Sequence, residues 1–261
     1  MKQNTQKEHM NTLPDSVDAQ NPVIEISHLK KSFGHLEVLK DISFNLLPGE
    51  NLVVLGKSGS GKSVLIKCIV GLLKADSGII KVFGQDISDP DNKVLVQLRE
   101  KIGFLFQSGA LFDSMTVRQN LEFPLRKTKK DLTEKEKENK IHEALENVGL
   151  PDVIDKMPSE LSGGMRKRIS LARTLVMSPG IMLYDEPTTG LDPVTSEEIS
   201  ELINGVRKKY NTSSIIITHD IKCAMIIADR MIMLQEGNIY KEGNPELFKN
   251  SDDEFIQSFF K

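Results

Sequence analysis

Cysteine is nearly missing from this sequence: Cys68 and Cys223 are the only two in 261 residues, each alone in an apolar stretch. Two isolated thiols build neither a disulfide framework nor a metal-ligand spacing. They fit a reducing compartment and the role of small buried hydrophobes. Long apolar runs are missing too. No window approaches the roughly 18–20 apolar residues of a membrane-spanning helix, so any work on a membrane needs another subunit to do the spanning. Neither sign of charge prevails, since 34 basic and 37 acidic residues leave a net charge of −3. The chain therefore lacks the basic field of a nucleic-acid binder, and no nucleic-acid partner is expected. Residues 1–21 are polar with no apolar h-region, which excludes a secretory signal and reads as a disordered leader. There is no internal repeat.

Hydrophobic residues make up 39% of the chain, enough for the core of one large α/β domain or a domain with a subdomain. Val23 to Leu29 alternates apolar and polar residues as a half-buried strand does, and Val38 to Asn45 gives a second such pattern before a turn at Leu47-Pro48-Gly49-Glu50. Leu52 to Leu55, Ile181 to Tyr184 and Ser214 to Ile217 suit strands buried on both faces. Further strands are expected over Gly78 to Phe83 and Lys101 to Phe106. A helix is expected over Lys62 to Leu73, and mostly helical structure from Val117 to Met177. Thr133-Glu134-Lys135-Glu136 is a capping box that opens a charged helix, and Gly149 ends it. Its charges, Lys127 to Lys140, read as a solvated face. A hairpin over Arg230 to Glu242 and a packing tail complete the chain.

Gly56-Lys57-Ser58-Gly59-Ser60-Gly61-Lys62-Ser63 matches G-x-x-x-x-G-K-[ST] at every fixed position, between a strand and a helix. Such a loop turns backbone N–H groups toward phosphate oxygens, and side chains in place of its glycines would block the approach. Lys62 adds a point charge for the β and γ phosphates, and the Ser63 hydroxyl suits a Mg²⁺ shell. Leu161-Ser162-Gly163-Gly164-Met165 opens a helical pattern and offers a second anion-binding helix start. One nucleotide rarely needs two such starts, but two copies packed head to tail would use both. Asp185 and Glu186 follow one buried strand, and His219 another, at the sheet edge where ligands bind in open parallel sheets. Asp185 suits Mg²⁺ and Glu186 suits a general base, with a helix cap as the alternative for the pair. A histidine at position 219 is either structural or an orienting group near the γ-phosphate.

These motifs together resemble the ATPase subunits of ABC transporters over about Val23 to Glu246. The resemblance implies a P-loop NTPase fold of the ABC ATPase type. That fold is α/β, with a mainly parallel core sheet, an antiparallel β subdomain and an α-helical signature subdomain. Residues 22–261 would form the nucleotide-binding domain, with the helical part at about 108–177. It implies ATP and Mg²⁺ as cofactors and ATP hydrolysis as the activity. Phe33 lies where the family stacks an aromatic on adenine. Gly56, Lys57, Ser58, Gly59, Ser60, Gly61, Lys62 and Ser63 match Walker A, and Gln107 matches the glutamine that links Mg²⁺ to the membrane partner. Ser162, Gly163 and Gly164 match the signature that binds ATP held by the opposite subunit. Ile181 to Asp185 matches Walker B, with Asp185 toward the metal and Glu186 as base. Gly190-Leu191-Asp192 matches the D-loop, which brings Asp192 to the nucleotide, and His219 matches the switch histidine. A homodimer is implied, cytoplasmic and held on the inner membrane through an integral permease.

Phe106 to Phe112 with Met115-Thr116-Val117, and Pro158 to Arg168, look like the Mla/MCE branch (MlaF-like), whose ATPases drive lipid movement across the Gram-negative envelope. That branch implies a permease of the MlaE type, an MCE-domain protein and a STAS-domain regulator. The rival readings are an importer ATPase for amino acids or another small solute, and a non-transport ABC ATPase. Two departures stand out. Lys57 fills a position often held by Pro or Glu, and Met165 puts an apolar side chain where most relatives have glutamine. Arg166-Lys167-Arg168 reads as a solvated face of the signature helix, with anionic lipid as the alternative contact. Ala110, Leu111, Phe112 and Met115 suit either a groove for a permease helix or the core.

Overall fold

The computed structural model describes residues 21–89, 92–129 and 131–260. The leader expected over 1–21 therefore lies, Asn21 apart, outside the described residues. Strands β1 (Ile24–Phe33) and β2 (Leu36–Leu46) form a hairpin, followed by β3 (Asn51–Leu55), helix α1 (Lys62–Ile69), β4 (Ser77–Val82) and β5 (Gln85–Asp86). Next come α2 (Asn92–Arg99), β6 (Ile102–Leu105), and the helices α3 (Val117–Thr128), α4 (Glu134–Asn147) and α5 (Gly163–Leu175). The chain continues with β7 (Ile181–Asp185), α6 (Pro193–Tyr210), β8 (Ser213–Thr218) and α7 (Ile221–Ile227). It closes with the hairpin β9 (Arg230–Gln235) and β10 (Asn238–Gly243) and the short helices α8 (Pro245–Lys249) and α9 (Glu254–Gln257).

The strands run in the order β5-β4-β1-β2-β10-β9-β3-β8-β7-β6. From β9 to β6 every pairing is parallel, and β1, β2, β4 and β5 pair antiparallel. A parallel sheet needs both faces covered, and its central strands β3, β7 and β8 are accordingly buried at every residue, with apolar runs at their centres. Alternate side chains serve two cores. Val53, Leu55, Met182, Tyr184 and Ile216 join the core that also packs α3 to α7. Leu52, Val54, Ile181, Leu183, Ile215 and Ile217 join a second core with α1 and the antiparallel strands. Cys68 and Cys223 are buried, and burial pushes both thiols up to about 11, as suits small hydrophobes.

One expectation needs correction. The first helix stops at Ile69, not Leu73, because Gly71 turns the chain at φ +65° and its amide bonds back to the Cys68 carbonyl. The helix α2 was not foreseen. In the charged helix α4, both bonds of the capping box at Thr133 and Glu136 form, and Gly149 follows it at φ +69°.

Candidate active site

Parallel register brings the ends of three strands level. Leu55 lies opposite Thr218 and Asp185 opposite Ile217, so the loops after β3, β7 and β8 emerge side by side. The loop after β3 enters α1 through Gly61 at φ +101°, and no side chain caps the helix. A Cβ on Gly61 would come within 2.9 Å of the Val38 carbonyl, so glycine is required for space as well as for conformation. The first N–H groups of α1 thus stay available to an anion. Lys62, only 7% exposed, donates from Nζ to the carbonyls of Gly56 (2.7 Å) and Lys57 (3.1 Å). The buried Ser60 hydroxyl finds no protein partner among the described residues, as expected where a loop is built to hold something else.

Ser63 donates from Oγ to Asp185 Oδ1 at 3.3 Å, joining residues 122 apart in sequence. A hydroxyl and a carboxylate are the oxygen donors that a hard divalent cation takes. The next residue, Glu186, sits at φ +53°, a strained setting for a non-glycine residue that costs about 1–3 kcal/mol. Its amide donates to the Ile217 carbonyl at 2.8 Å, which ties the bend to β8. Glu186 Oε2 meets His219 Nδ1 at 2.8 Å and accepts from the Thr189 hydroxyl at 3.1 Å. The Glu186 side chain is largely covered while that of His219 is 61% exposed, so the pair is anchored at the acid and open at the imidazole.

A cleft of about 830 Å³ runs over this constellation. Phe33, half exposed, and Val38 line one part of it; Lys57 to Gly59, Lys62, Ser63, Gln107, Glu186 and His219 line the rest. Burial lowers the Lys62 ammonium's pKa, and the neighbouring Glu186 and Asp185 oppose that. Burial raises the Asp185 carboxyl, against the Ser63 hydrogen bond. A cleft with two lysines, Lys57 and Lys62, and two acids beside Lys62 suits a polyanion that brings its own counter-cation.

Other foreseen residues lie outside the cleft lining. Ser162 caps α5 by accepting from the Met165 amide at 3.2 Å, and Asp192 caps α6 by accepting from Val194 (3.1 Å) and Thr195 (3.0 Å). These two caps are neighbours: a Cβ on Gly164 would lie 2.6 Å from Thr195, and one on Gly163 would lie 3.8 Å from Leu191. One chain thus carries the loop from Gly56 to Ser63 and, separately, a patch of Ser162, Gly163, Gly164 and Asp192.

The sequence profile described as ABC transporter matches residues 39–189, more than half of the chain. The chain belongs to the ABC transporter family. A relative in Mycobacterium leprae, named a probable ribonucleotide transport ATP-binding protein, is 41% identical over 237 residues, covering 90% of this chain and 68% of its own length. Among solved structures, cbiO1 of Clostridium perfringens, part of the ABC transporter complex cbiONQ, superposes with a TM-score of 0.83 at 34% identity, covering 88% of this chain and 92% of that one. The dimeric cassette MJ0796 gives 0.78 at 30% identity, covering 85% and 98%. The same cassette is also known as a post-hydrolysis dimer with ADP and Pi. The fold is therefore that of the ABC ATPases, whose members bind and hydrolyse ATP as dimeric cassettes.

In this ABC cassette the basic run after the signature is a solvated face only in part, and the exception is Lys167. Lys167 is buried and donates to the Gln107 carbonyl at 2.7 Å; Arg168, half-buried, reaches Glu198 at 2.6 Å; Arg166, exposed, holds the Leu161 carbonyl. Met165 packs against the larger core, which explains an apolar residue there. Leu111 also packs on that core, while Phe112 stays 37% exposed and Met115 lines a groove with Phe123 and Arg126. Four participants were missed. Asn120 is fully buried, accepts from the Phe112 amide at 2.8 Å and donates to the carbonyls of Phe112, Met115 and Thr116. From the tail, Ser258 and Phe259 line the cleft, and Lys57 Nζ stands 5.1 Å over the Phe255 ring. The signal for Asn120 was a polar residue on the apolar stripe of α3; the tail residues gave none.

Proposed function

We propose that this chain is the ATP-hydrolysing subunit of an ABC transporter that moves phospholipid between membranes. The observation that carries the ATPase part is the convergence of Ser63 on Asp185 and of His219 on Glu186 beside the Lys62 loop. ATP would be held by the backbone N–H groups of the loop from Gly56 to Ser63 with Lys62 on its phosphates, and by Phe33 at the base. Mg²⁺ would be held by Ser63, Gln107 and Asp185; when bound it supplies charge neutralisation on the phosphates. Glu186 takes a proton from the attacking water, and His219 holds that carboxylate through its Nδ1 contact. Ser162, Gly163, Gly164 and Asp192 serve the nucleotide of the partner copy. Two copies close around two nucleotides and open after hydrolysis.

The groove by Met115 and Phe123 is where a permease helix would receive the motion. The lipid assignment is supported by the segments 106–117 and 158–168, and it brings an MlaE-type permease, an MCE-domain protein and a STAS-domain regulator as partners. Small-solute import is the second reading, favoured by the ribonucleotide transport name of the mycobacterial relative. Glu186→Gln is the test of the ATPase: nucleotide binding stays, and turnover falls ~100- to 10,000-fold. Wild-type turnover in that variant removes Glu186 from the role. Co-purification from membranes with mass spectrometry separates the two transport readings. Bound phospholipid and an MCE-domain protein support the first, and a soluble solute-binding protein the second.

A further inference from the structure

The segment that leaves β6 with Gln107 is clasped by one face of α5. Three residues at helical spacing make the clasp. Lys167 Nζ donates to the Gln107 carbonyl at 2.7 Å. One turn on, Ser170 faces Gly109: a Cβ there would lie 2.6 Å from the Ser170 hydroxyl, which is itself bonded to the Arg166 carbonyl at 2.7 Å. A further turn on, Arg173 donates to the Ala110 carbonyl and lays its guanidinium 4.6 Å from the Phe112 ring centre. Residues i, i+3 and i+6 share one side of a helix, so this is a continuous contact. Burial lowers the pKa of both Lys167 and Arg173, and a long cationic side chain is not put there for solubility. The backbone it grips is of an uncommon kind, with Gly109 at φ +79° and Ala110 at φ +51°.

We propose that Lys167 and Arg173 are positioning residues that fasten the Gln107–Ala110 backbone to the signature helix, so that Gln107 and Ser162 to Gly164 shift as one body. The inference rests on the ATPase reading given above, for Gln107 in particular. The same α5 begins with Ser162 at its cap, so its N-terminus belongs to the surface assigned to the partner's nucleotide. Lys167, less than two turns along, holds the backbone of a residue assigned to the chain's own metal. A displacement of one end of the helix is thereby delivered to the other site without a loop to absorb it. Phe112, stacked under Arg173, carries the same displacement to the exposed apolar segment.

The test uses the full chain. Hydrogen exchange without nucleotide is measured over 106–112 and over α5, and ATPase is titrated with Mg²⁺. In Lys167→Met the amides of 108–110 exchange at least ~10-fold faster, a local opening made easier by about 1.4 kcal/mol, while α5 keeps its protection. The Mg²⁺ needed for half-maximal turnover rises ~10- to 100-fold, as for loss of a partner behind a metal ligand. Lys167→Arg, which can reach the same carbonyl, restores most of both. Unchanged exchange at 108–110 overturns the proposal. So does faster exchange spread evenly through α5 with an unchanged Mg²⁺ requirement, which would mark Lys167 as mere packing. If Lys167→Met does not fold, Arg173→Gln is read the same way at 110–112, with the same overturning result. Lys62→Ala serves as the separate control: wild-type hydrolysis there fails the ATPase reading, while the exchange result still decides the clasp.

Discussion

Asp185 shows how a single side chain pays in stability for being useful. Burial raises its carboxyl above the ordinary range, so the folded chain holds that proton more tightly than the unfolded chain does. Its contribution to stability is complete at acid pH and is lost as pH rises through the raised value. Asp185→Asn removes an ionisation that the fold disfavours. Without nucleotide, the variant melts higher than wild type at pH 7.5, and the gain shrinks toward zero near pH 4, with each kcal/mol worth roughly 2–4 °C. A variant that melts lower at pH 7.5 would show that Ser63 and Lys62 make ionised Asp185 a net stabiliser. Glu186 one residue on is a different case, where the strain is in the backbone and the hydrogen bond from its N–H to the Ile217 carbonyl holds it.

At the scale of elements, loops matter more than helices. Asn120 on α3 satisfies four backbone groups of the segment 112–116 with one amide side chain. Asn120→Ala strands those groups and costs ~1–3 kcal/mol, read as a fall in melting temperature, with ATPase lost in the assembled complex before it is lost in the isolated chain. An unchanged melting curve would refute it. The contrast between Asn120 and Thr133 explains what was legible in the sequence. Thr133 and Glu136 act within one turn, so their pattern alone revealed the start of α4. The strand ends were legible because wholly apolar runs such as Ile181 to Tyr184 stop at carboxylates. Asn120 and Lys167 act on partners displaced in space, and Lys167 on one 60 residues away, so composition made it look like solvated charge. The reach of Phe255 and Phe259 to the phosphate loop depends on how the tail folds back, which no local pattern encodes.

For the whole molecule the consequence of the separated motifs is stoichiometric. A chain dead in its signature (Ser162→Arg) and one dead in its phosphate loop (Lys62→Ala) each lack activity alone. Mixed in equal amounts they form hybrids with one intact composite site, so the mixture hydrolyses ATP faster than either parent. Activity equal to the parents' mean would sink the trans arrangement. The division of β3, β7 and β8 between two cores adds a constraint of another kind. Their side chains alternate with a period of two, so each residue's face is fixed by counting along the strand. A one-residue insertion or deletion inside any of them would exchange the two cores and swing the terminal carboxylate or histidine to the wrong side. Length variation in these strands must therefore be confined to the loops between them, and under the proposed roles of Asp185 and Glu186 the spacing from Ile181 to Glu186 counts as much as the identity of either acid.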